Sequence, residues 1–191
     1  MSDKYSSYLD LSISEPEGSY RIEMRSIGTA VALIAPHAGK IELGTSEICR
    51  SVAGDEFSYY LFEGHKTSNN RDLHITSSRF DEPRGISIAQ SAQLVVTFHG
   101  QIGENHFVNV GGLAEKVCDS IIEALNVADF SASRRDNPGL QGRDVNNICN
   151  RGAKGQGVQL EISRALRNAL IEDDDKMARF SSAIKSVLIA L

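Results

Sequence analysis

The sequence predicts an α/β fold: a single domain with a central, mostly parallel or mixed twisted sheet flanked by helices. Three observations lead there. Ala30-Val31-Ala32-Leu33-Ile34-Ala35 and Leu94-Val95-Val96-Thr97-Phe98 are apolar runs without alternation, which suits strands covered on both faces. Leu113, Val117, Ile121 and Leu125 recur at helical spacing. Strand and helix patterns alternate along the chain, and its 191 residues contain no long linker, so residues 1–191 fit one domain.

Taken in order, residues 1–19 form a polar N-terminal segment ending in the turn-forming Ser14-Glu15-Pro16-Glu17-Gly18-Ser19, and Tyr20 to Met24 is a weak strand. The apolar run ending at Ala35 delivers Pro36-His37-Ala38-Gly39-Lys40-Ile41-Glu42. A helix follows to Val52, with Thr45 or Ser46 available as a cap, and Gly54 ends it. Phe57 to Phe62 is a short aromatic strand, residues 66–70 a polar loop, and Leu73-His74-Ile75-Thr76 alternates like an exposed or edge strand. A loop over 81–85 precedes a helix from Ile86 to Ala92, which leads into the second apolar run. Phe107 to Gly112 is a short strand, Leu113 to Leu125 a helix whose apolar face belongs to the core, and Arg143 to Asn150 a short helix. Gly155 to Ser163 is a third strand, and Glu172-Asp173-Asp174-Asp175 puts acids at the start of a final helix, Lys176 to Ala190, where they complement its dipole.

A net charge of -5 argues against nucleic-acid binding, which leaves a basic footprint. That average hides an asymmetry: residues 131–170 hold seven basic residues (Arg134, Arg135, Arg143, Arg151, Lys154, Arg164, Arg167) against three acids (Asp136, Asp144, Glu161), a local +4 in a chain otherwise at -9. This stretch is either a solvated basic face or an attractor for an anionic ligand. Cys49, Cys118 and Cys149 are far apart and form no CxxC pair, so they read as small core residues in a reducing compartment. Neither a leader pattern nor a run of membrane-spanning length is present, and the expectation is a cytoplasmic monomer without membrane contact, acting either inside the cell or after release on lysis.

The chemistry gathers at strand ends. His37 and Glu42 lie just past the first apolar run, where open α/β sheets bind ligands, and Gly39 can supply the turn that folds them toward one point. Alone, that pair also fits a loop histidine and a solvated glutamate. The second run repeats the design, ending in Phe98-His99-Gly100, and the third embeds Glu161 where a core residue is expected. If the three segments are neighbours in one sheet, His37, Glu42 and His99 can hold zinc with one position left for water, and Glu161 can stand beside it as general base. Of the other histidines, His65 reads as solvated, His74 as a substrate contact or a sheet-face residue, and His106 as an alternative ligand that ranks behind His99.

Three segments, His37-Ala38-Gly39-Lys40-Ile41-Glu42-Leu43-Gly44-Thr45-Ser46-Glu47, Phe98-His99-Gly100 and Gly157-Val158-Gln159-Leu160-Glu161-Ile162-Ser163-Arg164, together resemble the zinc-dependent poly-γ-glutamate hydrolases of bacteriophages and their bacterial homologues. That family is similar to the carboxypeptidase A-type zinc peptidases. The resemblance implies a carboxypeptidase-like fold, Zn2+ on His37, Glu42 and His99, Glu161 as catalytic base, and an anionic polymer as substrate. Arg151 and Arg164, which flank Glu161, and Arg84 and His74 are the substrate-binding candidates. Arg164 points away from Glu161 if the strand continues through it. Two other readings use the same residues: an amidohydrolase of small N-acyl amino acids such as acyl-glutamates, and a non-catalytic, metal-stabilised polyanion-binding module.

Overall fold

A computed structural model describes residues 3–134 and 141–191. Arg135 and Asp136, two members of the basic stretch, lie outside the described residues. Thirteen elements follow in chain order: α1 (Tyr8–Ser14), β1 (Tyr20–Arg25), β2 (Val31–Gly39), α2 (Thr45–Ala53), β3 (Ser58–Gly64), α3 (Pro83–Ser91), β4 (Leu94–Gln101), β5 (Val108–Gly111), α4 (Glu115–Val127), β6 (Ala132–Arg134), β7 (Gly157–Ser163), α5 (Arg164–Glu172) and α6 (Asp174–Ile189). Short 3-10 turns span Asn70–Leu73 and Ile148–Arg151.

The seven strands form one mixed sheet in the order β1-β3-β2-β4-β7-β5-β6. The central strands β3, β2, β4 and β7 run parallel, while β1 joins β3 and β5 joins β7 in antiparallel fashion. Alternate residues of β2 feed two cores. Val31, Leu33 and Ala35 pack under α2, α4, α5 and α6, whereas Ala32 and Ile34 pack with Leu11 of α1 and with Ile88 and Ala89 of α3. This two-sided burial explains why the run lacks alternation. Among the described residues no helix is long and apolar enough to cross a membrane.

Several expectations are corrected. Leu73 to Thr76 is not an edge strand: a 3-10 turn leads into extended chain, and the alternation arises because Leu73 and Ile75 pack onto one face of the sheet. The polar N-terminal segment contains α1, capped by the Ser7 hydroxyl and anchored by Leu11. Neither Thr45 nor Ser46 caps α2, because Gly44 holds that position; the Thr45 hydroxyl donates to the Glu42 carbonyl and the Ser46 hydroxyl accepts the Gly39 amide. The short helix over 143–150 is a single 3-10 turn at its end. The third strand stops at Ser163, as expected, but a helix that the sequence pattern did not predict, α5, begins at once.

Candidate metal centre and cleft

Backbone irregularity puts the first candidate ligand in place. Between Ala35 and Ala38 the register of β2 on β3 slips, with Ala35 opposite Leu61 and Ala38 opposite Glu63. Pro36, which has no amide proton to give to the ladder, sits in this bulge. One extra residue reverses the alternation. Ala38 therefore joins the core of Ala35, and His37 turns to the opposite face. That is also the face of His99 and Glu161, since Phe98, Leu160 and Ile162 point the other way. Gly39 then turns the chain at φ 63°, where a Cβ would meet the Gly64 carbonyl at 2.8 Å.

Strand order completes the set. β2 pairs with β4 and β4 with β7, so the three carboxyl ends lie side by side, with His99 directly opposite Glu161. His37 Nδ1 lies 3.2 Å from His99 Nδ1 and 3.6 Å from Glu42 Oε1, and His99 Nδ1 lies 3.9 Å from Glu42 Oε2. The three ligand atoms fall within 4.8 Å of one another.

His37 Nε2 donates to the Ile75 carbonyl at 2.7 Å, so Nδ1 presents a lone pair to its neighbours. Glu42 Oε2 accepts the Gly100 amide at 2.8 Å. Among the described residues the buried His99 Nε2 has no hydrogen-bond partner. Burial pushes the Glu42 carboxyl up to about 8, with Glu161 adding to the rise against the Gly100 hydrogen bond. Burial pulls His99 down to about 3, helped by His74, and holds His37 well below its ordinary value. Two buried imidazoles and the largely buried Glu42 carboxyl, which ionises on binding a cation, form a donor set that fits a divalent ion.

Glu161 accepts a hydrogen bond from Gln159 Nε2 at 3.1 Å. It opens with the three candidate ligands onto a cleft of about 1220 Å³.

Residues 5–187 match the family described as poly-gamma-glutamate hydrolase. The chain belongs to the poly-gamma-glutamate hydrolase family. It is 39% identical over 198 residues to the UPF0714 protein YmaC of Bacillus subtilis (strain 168), an alignment covering 97% of this chain and 84% of YmaC. Among solved structures, a bacteriophage poly-gamma-glutamate hydrolase superposes with a TM-score of 0.94 at 33% identity, covering 99% of this chain and 98% of that one. YndL in a zinc-free apo form gives a TM-score of 0.93 at 32% identity, covering 98% of each chain.

In this member of the poly-gamma-glutamate hydrolase family the cations are placed unevenly. Arg164 lines the cleft because β7 ends before it, which removes the expected opposite orientation. His74 also lines it, stacked on His37 at 3.9 Å between ring centroids and bonded through Nδ1 to Asp3 at 2.7 Å. Arg84 and Arg151 are not among the lining residues: Arg84 pairs with Glu82 at 3.1 Å, and Arg151 donates to the Phe80 carbonyl. His65 and His106 stand outside the cleft as well. Sequence reasoning passed over Lys40, Arg71, Arg143 and Arg167 as lining residues. Arg143 was visible within the basic stretch, whereas Arg71 enters from a turn between elements and left no pattern.

Proposed function

We propose that this chain is a zinc-dependent hydrolase that cleaves the γ-glutamyl amide bonds of poly-γ-glutamate. The observation that carries the reading is the convergence of His37, Glu42 and His99 at the floor of a cleft that also holds Glu161. Two imidazole nitrogens and one carboxylate oxygen are zinc donors, and three protein ligands leave one coordination position open. The zinc-free form named for YndL supports zinc as the ion. When bound, zinc supplies a Lewis acid for the scissile carbonyl and brings the pKa of water toward neutrality.

Glu161 accepts the proton of the water that attacks the γ-carbonyl carbon, then returns it to the leaving amine. Arg71, Arg143 and Arg164 at the cleft walls suit a polymer that carries one free α-carboxylate per residue. The spread of arginines around the cleft supports an extended polyanion over a small N-acyl amino acid.

Metal analysis joined to turnover tests the reading. Glu161→Gln is expected to keep its zinc and lose hydrolysis of poly-γ-glutamate by about a hundredfold or more, while His37→Ala and His99→Ala lose the metal itself. Wild-type turnover in the first variant overturns the role of Glu161. Full zinc occupancy in either histidine variant removes that residue from the ligand set.

A further inference from the structure

Beneath Glu161 runs a chain of hydrogen bonds whose direction is set by chemistry. The Cys149 backbone amide can only donate, and it lies 3.1 Å from the side chain of Asn147, which fixes the near atom as Oδ1. The Asn147 side-chain nitrogen is thereby turned to donate to Gln159 Oε1 at 2.8 Å. With its oxygen so engaged, Gln159 offers Nε2 to Glu161 Oε1 at 3.1 Å. Asn147 and Gln159 are 6% and 5% exposed, so water cannot readily substitute in the bond between them. Asn150 clamps the segment that carries Asn147: its nitrogen donates to the carbonyls of Gly142 and Asp144 at 2.7 and 2.8 Å, and its oxygen accepts the Gly157 amide at the start of β7.

We infer that Gln159, aligned by Asn147, is a positioning residue for the Glu161 carboxylate in the hydrolytic step. The inference rests on the proposal that Glu161 is the base. A base at the end of a flexible side chain must hold its carboxylate plane toward the attacking water, and the Gln159 N–H on Oε1 helps to set that plane. An amide suits the task better than Lys or Arg, because a full positive charge there would favour the ionised carboxylate and weaken it as a proton acceptor. Gln159 and Glu161 are two apart on β7 and so share the cleft face, which lets the strand itself hold the donor at its acceptor.

The test uses zinc-loaded protein, poly-γ-glutamate and separate measurement of kcat and KM. Gln159→Leu is expected to lower kcat about tenfold, with KM and zinc content near wild type. Asn147→Asp keeps the shape and the acceptor for Cys149 but withdraws the donor, so Gln159 turns its nitrogen away and its oxygen toward Glu161. A similar fall in kcat is expected, carried to Glu161 through the Asn147–Gln159 bond. In a Glu161→Gln background neither change should reduce residual turnover further. Wild-type kcat in both variants overturns the inference, as does an equal proportional loss with and without Glu161, which marks a structural role. If Glu161→Gln alone retains wild-type turnover, the assignment of the base fails first and the positioning role falls with it.

Discussion

At position 100 the missing side chain matters as much as any side chain present. The Gly100 amide donates to Glu42 at 2.8 Å, while a Cβ on the same residue would stand 2.6 Å from the centre of the Arg167 guanidinium. Arg167 has little room to move: it is buried and donates to the carbonyls of Ile162 and Leu43. Gly100→Ala is therefore expected to cost about 1–3 kcal/mol of stability as an overpacking change, and to weaken metal binding through the displaced Glu42. Urea unfolding and chelator competition measure the two effects, and an unchanged unfolding midpoint would refute the packing argument. At this scale the sequence was legible where an ionisable residue interrupts or ends an apolar run, as His37, His99 and Glu161 do. Arg71 and Asn147 sit in irregular chain with no period to betray them, and their neighbours in space are distant in sequence.

Elements were legible where burial imposes a period and obscure where packing overrides it. β2 and β4 stood out because both faces of each strand are covered, and the spacing Leu113, Val117, Ile121, Leu125 picked out Ile121 and Leu125 of the buried face of α4 but not Cys118 beside them. The bulge at Pro36 did not, because alternation cannot show in a run with no polar member. The junction of β7 with α5 carried a signal that was passed over: Ser163 is an N-cap whose hydroxyl accepts the Leu166 amide at 3.3 Å and the Phe107 amide at 3.1 Å. One buried hydroxyl thus ends the strand, starts the helix and ties down the approach to β5. Ser163→Ala leaves both amides without it and is expected to lose about 1–2 kcal/mol. Because the helix places Arg164 at the cleft, the variant should also raise KM for poly-γ-glutamate while zinc content persists. A wild-type KM would show that fraying of this turn does not reach the substrate.

Across the whole molecule, acid resistance depends on carboxylates far from the candidate metal centre. Glu15 is held down at about 2: burial raises it, but the Tyr5 hydroxyl, Lys66 and Lys4 more than offset that, joining the N-terminal segment to the loop after β3. Glu23 is also held at about 2, chiefly by a two-pronged Arg50 at 2.8 Å, with Tyr59 at 2.9 Å and Arg21 adding to it. A carboxyl whose folded pKa lies below its unfolded value contributes stability that is complete above the unfolded value and disappears as pH falls through the folded one. The window here runs from about 4.5 down to about 2. In the metal-free chain Glu42, held near 8, has already given up most of its effect by pH 4.5. His99, held at about 3 against an ordinary 6.5, costs stability progressively as pH falls from about 6.5 to about 3, because the unfolded chain takes up a proton that the buried ring refuses. Glu23→Gln should accordingly lower the unfolding midpoint at pH 6 yet flatten its decline below pH 4.5. The wild-type and variant curves would then converge as pH approaches 2, because protonation has by then removed from the wild type what the substitution removed from the variant. Curves that stay parallel over that window would show that the Arg50 pair contributes nothing that titrates, and that the acid sensitivity of the fold resides elsewhere.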